Sequence, residues 1–289
     1  MFRNAFKITD ENFINKFIKD FLKTILFKGK KFFSYSKNII FKIKKKSFYF
    51  LLIFVPMNLL IKIVKNKIIN KHIILIYHSF GSYSNFYCLK NDSFYEHIDI
   101  LKKLEVKFCH TDLFFVKESK PKVLITFDDG YKSSLDIIEN LFFEKINALL
   151  FITTSFVDSN YNSYMTWDDL LQISSNKLIE IGSHCVNHMP LDGLNINDIE
   201  KELSNSKNII KNKINYDTKL LAYPFGNYNN EVKKIAKKYY NYAFTSVESI
   251  NKKSIFSDPY DVIRLCIDKS HERKKKFLAD IYLNSKKQQ

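Results

Sequence analysis

Four short motifs carry the residue types that hydrolytic chemistry needs. The run Thr126-Phe127-Asp128-Asp129-Gly130 closes the apolar segment VLITF with two adjacent carboxylates. Beside each other after a hydrophobic strand, they repel unless something compensates, and a divalent metal does so best. The competing reading is a helix N-cap, with one aspartate capping and the other complementing the helix dipole. Gly182-Ser183-His184-Cys185-Val186-Asn187-His188 follows the strand-like IEI. Two histidines four apart can reach one metal from a single turn. No glutamate follows His184, so the H-E-x-x-H pattern is excluded and any base comes from elsewhere, a need the paired aspartates meet. Cys185, between the histidines, reads as a small packing residue.

Ala222-Tyr223-Pro224-Phe225-Gly226 is the third motif. Its proline and glycine shape either a rigid loop that offers backbone N–H groups to an oxyanion or an ordinary tight turn. The fourth, Tyr77-His78-Ser79, ends the run IILI, where a histidine can serve structure as readily as catalysis. Convergence is what ties the four together. Three of only six glycines, Gly130, Gly182 and Gly226, lie at strand exits beside these motifs, and in a β/α barrel all such exits share the face where catalytic residues collect.

The elements that must position them alternate in type. Seven β-rich runs stand out: Ile73–Tyr77, Val123–Phe127, Leu149–Thr153, Ile179–Ile181, Leu220–Tyr223, Tyr242–Thr245 and Val262–Ile267. Helical patterns fall between them at Phe94–Leu104, Ser133–Lys145, Ile196–Lys213 and Asn230–Tyr240. Repeated β–α alternation implies parallel strands with helices outside. Seven repeats suit a closed or nearly closed barrel better than an open doubly wound sheet, for which no G-x-G-x-x-G or Walker loop is present. The four cysteines, Cys88, Cys109, Cys185 and Cys266, are scattered without a C-x-x-C, so neither a disulfide scaffold nor a zinc ribbon is indicated.

The first seventy residues read differently. Residues 1–46 hold 13 Lys or Arg against Asp10, Glu11 and Asp20, giving most of the net charge of +16. Phe2, Phe6, Phe13, Phe17 and Phe21 recur among the lysines at helical spacing, the pattern of a basic amphipathic helix on an anionic membrane surface. Residues 47–61, SFYFLLIFVPMNLLI, are free of charge. As a helix they would reach about 22 Å, short of the ~30 Å hydrocarbon core, and Pro56 weakens them further. An interfacial segment, a marginal span and a helix packed on the following domain are the alternatives. The expected organisation is a membrane-associating segment over 1–70 and a catalytic domain over 71–289, with the membrane contact in 1–64 and the chain at the cell envelope. Lysine outnumbers arginine 43 to 3, so the arginine forks typical of nucleic-acid readout are lacking and no nucleic-acid partner is expected.

TFDDG at 126–130, S-H-x-x-x-H at 183–188 and Y-P-F-G at 223–226 resemble the motifs of the polysaccharide deacetylases, the NodB-homology carbohydrate esterases. The resemblance spans about 71–268. The Y-H motif ahead of TFDDG and the tyrosine–proline loop are similar to the poly-N-acetylglucosamine deacetylase branch, as is Met165-Thr166-Trp167-Asp168-Asp169. The family implies a deformed (β/α)7 barrel, here preceded by the basic, partly hydrophobic helical N-terminal segment, and a divalent metal of the Zn²⁺ type. Carried over by motif, Asp129, His184 and His188 are metal ligands and Asp128 is the base that activates a water held at the metal. The family's C-terminal L-x-H motif is missing, since His271 is followed by ERKKK. His78 then takes the role of general acid. Arg264 is expected either to pair with Asp128 and orient it or to lie on the surface. Tyr223, Pro224 and Phe225 are expected to form the substrate and oxyanion loop, and Trp167 and Tyr223 each either stack on a sugar ring or pack in the core.

These residues point to removal of N-acetyl groups from an amino-sugar polysaccharide or lipid-linked sugar. An amidase acting on a non-carbohydrate C–N bond and a non-catalytic glycan-binding protein are the alternatives.

Overall fold

The computed structural model describes Tyr49 and residues 55–285, apart from 83–84, 117, 160 and 247–257. The expected amphipathic helix over 1–46 and residues 47–48 and 50–54 of the apolar run lie outside the described residues. The chain divides into two units, Met1–Val55 and Pro56–Gln289, and the second contains the barrel.

Seven parallel strands form it: β1 His72–Tyr77, β2 Lys122–Phe127, β3 Ala148–Ile152, β4 Ile179–Ser183, β5 Leu220–Ala222, β6 Tyr242–Ser246 and β7 Val262–Cys266. Each pairs with the next in chain order, and β7 returns to β1. Leu75 accordingly faces Ile125 on one side and Leu265 on the other. Pairing runs along the whole of β1 and β2 but narrows to Ser183 opposite Leu221 between β4 and β5, so the barrel is deformed there. A short segment, Lys107–Phe108, pairs with the first residues of β2.

β1 and β2 are buried along their full lengths, which is why they read as continuous apolar runs rather than alternating ones. Ile74, Leu124, Leu149, Phe151, Leu220, Ala222, Phe244 and Val262 fill the interior, joined by Cys109 and Phe114 from the connection before β2. The barrel is a packed core, not a pore. Gly182 on β4 makes room for it, because a Cβ there would lie 2.3 Å from Phe151 Cδ1.

Helices lie outside: α1 Met57–Lys67, α2 Asn91–Lys103, α3 Leu135–Phe143, α4 Trp167–Ser174, α5 Ile196–Ile214, α6 Asn230–Tyr239 and α7 Lys274–Ser285. Asn195 and Asn229 cap α5 and α6 by accepting from the N–H groups of Asp198 and Val232. A reciprocal Thr166–Asp169 box starts α4. Ile199 and Leu203 of α5 and Val232 and Ile235 of α6 pack over Leu221 and Ala243.

At the start of the unit, Pro56 breaks the apolar run and precedes α1. This helix packs against α7 with Leu60, Val64 and Ile68 buried. The compact unit that holds the barrel starts at Pro56, so residues 57–61 of the apolar run belong to it. Among the described residues, no helix is long and apolar enough to cross a membrane.

Although lysines follow it, His271 lies inside the fold. It is 2% exposed, with Nδ1 3.0 Å from Asp268 Oδ1 and Nε2 3.0 Å from Asp280 Oδ2. Its carbonyl meets His97 Nε2 at 2.8 Å, and the His97 ring stacks on Phe277. This cluster fastens α2 to α7. Burial works to lower the His271 pKa, but the two carboxylates more than offset it and hold the imidazole above its ordinary value.

Candidate active site

The four motifs lie at C-terminal strand ends, as the topology requires of parallel strands in one barrel. Asp128 and Asp129 follow β2, His184 follows β4, the Tyr223–Gly226 loop follows β5, and His78 follows β1. Register fixes the neighbours: Tyr77 faces Phe127, and Asp128 N–H donates to Tyr77 O at 2.9 Å.

Arg264 projects from β7 into this end of the barrel. Its Nη1 donates to Asp128 Oδ1 at 2.7 Å and its Nη2 to Asp128 Oδ2 at 2.8 Å, a bidentate pair. Nη1 also reaches Thr126 Oγ1 at 3.1 Å, and that hydroxyl in turn donates to Leu75 O. The guanidinium carbon lies 5.0 Å from the Phe151 ring centre and 5.9 Å from that of Phe244. Burial of Asp128 opposes its ionisation. The charge of Arg264 and its hydrogen bonds more than offset that, holding the carboxyl below its ordinary range.

Asp129 and the two histidines form the second cluster. One ligand atom from each of Asp129, His184 and His188 lies within 4.8 Å of the others. Asp129 Oδ1 stands 3.5 Å from His184 Nε2 and 3.2 Å from His188 Nε2, while His184 Nε2 is 3.8 Å from Asp128 Oδ2. Asp129 Oδ1 is buried without a hydrogen-bond partner. His184 Nδ1 lies 2.7 Å from Ala222 O, which requires the proton on Nδ1 and turns the Nε2 lone pair toward Asp129. Burial also lowers the His184 pKa against the pull of both aspartates, favouring the neutral ring.

A divalent cation fits this donor set. A neutral imidazole lone pair and an orphaned carboxylate oxygen facing each other in a buried site are costly until a cation joins them. One carboxylate and two histidines also leave room for further ligands.

Strained backbone gathers at the same place. Asp129, Cys185, His188 and Phe225 all have positive φ, between 52° and 72°. Each such residue costs of order 1–3 kcal/mol, which clusters where function over-determines geometry. Gly226 also has positive φ, and a Cβ on it would meet Ser246 Oγ at 2.4 Å. Within the loop, Gly226 N–H donates to Tyr223 O and Asn227 N–H to Pro224 O. The Phe225 N–H takes no part in this internal bonding, and the exposed Phe225 ring meets His188 edge to face.

Not every candidate joins the site. Tyr223 is fully buried, stacks on Tyr228 and donates its hydroxyl to Tyr260 O. Its ring belongs to the core under α5 and α6, and its N–H is committed to Phe244 O. Pro224 is likewise buried and shapes the loop. Trp167 donates Nε1–H to Asp158 Oδ1, and Lys213 Nζ lies 5.8 Å from its ring centre, so the described contacts of the indole are with these two residues and not with the cluster. His78 is half-buried, with Nδ1 unpartnered and its ring against Tyr87. Sequence reading missed Phe156, whose ring lies 5.8 Å from His188 and stacks on Tyr164, which stacks on Tyr131. Their positions just after β2 and β3 were the available signal.

Fold and site together define a (β/α)7-barrel domain with a two-histidine, one-carboxylate cluster at its C-terminal rim. Residues 115–243 match the family model for polysaccharide deacetylase. YxkH of Bacillus subtilis (strain 168) is 30% identical over 130 residues, which are 44% of this chain and 46% of that protein. The match thus spans about half the length of that curated relative. The Streptococcus pyogenes deacetylase PplD, solved with acetate, superposes with a TM-score of 0.63 at 19% identity, covering 75% of this chain and 98% of that one. IcaB from Ammonifex degensii superposes at 0.64 with 20% identity, covering 73% and 97%. Residues 115–243 are thus similar to the polysaccharide deacetylase family, within a barrel that shares its fold with these solved deacetylases.

Proposed function

We propose that this domain is a metal-dependent hydrolase that removes N-acetyl groups from an amino-sugar polysaccharide or lipid-linked sugar. The observation that carries the reading is the convergence of Asp129, His184 and His188 beside an Asp128 gripped by Arg264. Asp129, His184 and His188 would hold the metal, most simply Zn²⁺ for this donor set. When bound, such an ion polarises a carbonyl oxygen and acidifies water.

The chain's own residues supply the rest. Asp128, kept ionised by Arg264, accepts the proton of the water that attacks the acetamide carbon. The Phe225 N–H donates to the oxyanion as the carbon becomes tetrahedral. His78 hands a proton to the departing nitrogen, so that the amide and water become acetate and a free amine. PplD, described in complex with acetate, supports an acetyl-releasing chemistry for this fold by analogy.

Membrane attachment through residues 1–64, with the domain at the cell envelope, is part of the same proposal. It rests on the lysine–phenylalanine pattern and the charge-free run of the sequence. The test is acetate release by the zinc-loaded chain from N-acetylglucosamine oligomers. Release that needs zinc and is lost in Asp129→Ala supports the reading. Release that persists after the metal is stripped contradicts it.

A further inference from the structure

The turn between the two histidines holds a conformation that side chains resist. Cys185 has φ +67° and His188 +52°, so contacts outside the turn must stabilise it. Part of the backbone is tied to neighbouring strand ends. Cys185 N–H donates to Ser183 Oγ at 3.2 Å, Cys185 O accepts from Thr154 N–H, and Val186 O accepts from Ser155 N–H.

The two central N–H groups converge on one atom. Val186 and Asn187 both donate to Glu202 Oε2, each at 2.9 Å, and Asn187 Nδ2 donates to Oε1 at 2.6 Å. Glu202 lies on the core-facing stripe of α5 with Ile199, Leu203, Ser206 and Ile210 and is 7% exposed. A carboxylate on an apolar stripe is tolerated only when its oxygens are well supplied with donors, and the histidine turn supplies three. One helical turn on, Ser206 Oγ meets Ser183 Oγ at 2.7 Å, so α5 grips both ends of the same segment.

We propose that Glu202 is the positioning residue for His188, a role that rests on the metal reading of the site. By fixing the N–H groups of Val186 and Asn187 it sets the turn that brings His188 Nε2 to 3.2 Å from Asp129 Oδ1. Glu202 touches neither metal nor substrate, and its effect is to pre-form the ligand geometry before metal arrives.

The test uses the full chain in two measurements. Without metal, hydrogen exchange at the Val186 and Asn187 amides is slow in wild type. Glu202→Met, which keeps length but loses every acceptor, speeds it at least about tenfold, with Glu202→Gln between the two. Zinc titration against a chromophoric chelator gives a Kd weakened roughly 10–100-fold in Glu202→Met, the range for groups that orient metal ligands, and largely recovered in Glu202→Gln. Unchanged exchange in Glu202→Met overturns the proposal, as does faster exchange with unchanged zinc affinity. If Glu202→Met does not fold, Glu202→Gln decides: a severalfold weaker Kd supports the role and a wild-type Kd overturns it. Zinc binding that is absent in the wild-type chain, or equally tight in His184→Ala, removes the metal reading and this inference together, and those two titrations identify that failure without any Glu202 variant.

Discussion

Arg264 and Asp128 form a closed, two-bond fork, with Nη1 to Oδ1 at 2.7 Å and Nη2 to Oδ2 at 2.8 Å, inside the barrel's C-terminal end. Both side chains are almost wholly excluded from solvent. The fork fixes the plane of the carboxylate, and the flanking Phe151 and Phe244 rings fix the guanidinium. A base held this way needs no reorganisation when a proton arrives.

Removing one partner leaves the other charged and buried. Arg264→Met is expected to cost about 3–5 kcal/mol in urea unfolding, and a loss well below 1 kcal/mol would contradict the pairing. The sign of the pH effect follows from the depressed Asp128 pKa. Its contribution is present above the ordinary carboxylate range and is lost as pH falls below about 4. In metal-free Arg264→Met the carboxyl protonates at higher pH, and that acid-side loss should flatten.

Zinc at a hundredfold excess over its Kd should stabilise the folded chain by about 2.7 kcal/mol. His188→Ala should lose most of that increment while melting close to wild type without metal, because His188 is partly exposed and holds no apolar core position. Equal zinc-induced stabilisation in both proteins would remove His188 from the ligand set.

Gly226→Ala places a Cβ at a positive φ and against Ser246. A loss of about 1–3 kcal/mol is expected from backbone strain. Because the displaced loop carries the Phe225 N–H, kcat should drop by roughly tenfold or more while zinc affinity stays unchanged. Wild-type kcat in this variant would exclude the loop from oxyanion binding.

The His271 cluster gives a pH dependence of opposite sign. With the folded pKa raised, its contribution is present below about 6.5 and is lost as pH rises through the raised value. The stability gap between wild type and His271→Gln should therefore be larger at about pH 6 than at about pH 9. A gap that widens with pH would show that His271 is neutral in the fold.

Much of this architecture was legible in the sequence because parallel barrel strands are buried on both faces. Runs such as HIILIY and KVLITF cannot be mistaken for surface elements, and the acidic and histidine motifs sit directly at their ends. Tyr223 stays open between sugar stacking and core packing in the sequence for a physical reason. A residue one position past a strand can turn toward the rim or under the helices, and hydropathy does not distinguish the two. Glu202 left a fainter mark, a lone charge on an otherwise apolar stripe of α5, which becomes meaningful only once the histidine turn is seen against it. His271 was hidden by the lysines after it, since its partners Asp268 and Asp280 flank it at separations that need the turn before α7 to bring them together.

The most direct test of the account is Asp128→Asn, assayed for acetate release and bound zinc in the same preparation. The account predicts wild-type zinc content, since Asp129, His184 and His188 are untouched. It also predicts a loss of acetate release of at least about 10²-fold, the scale of general-base catalysis. Full acetate release with zinc retained would contradict Asp128 as the base and with it the proposed reaction.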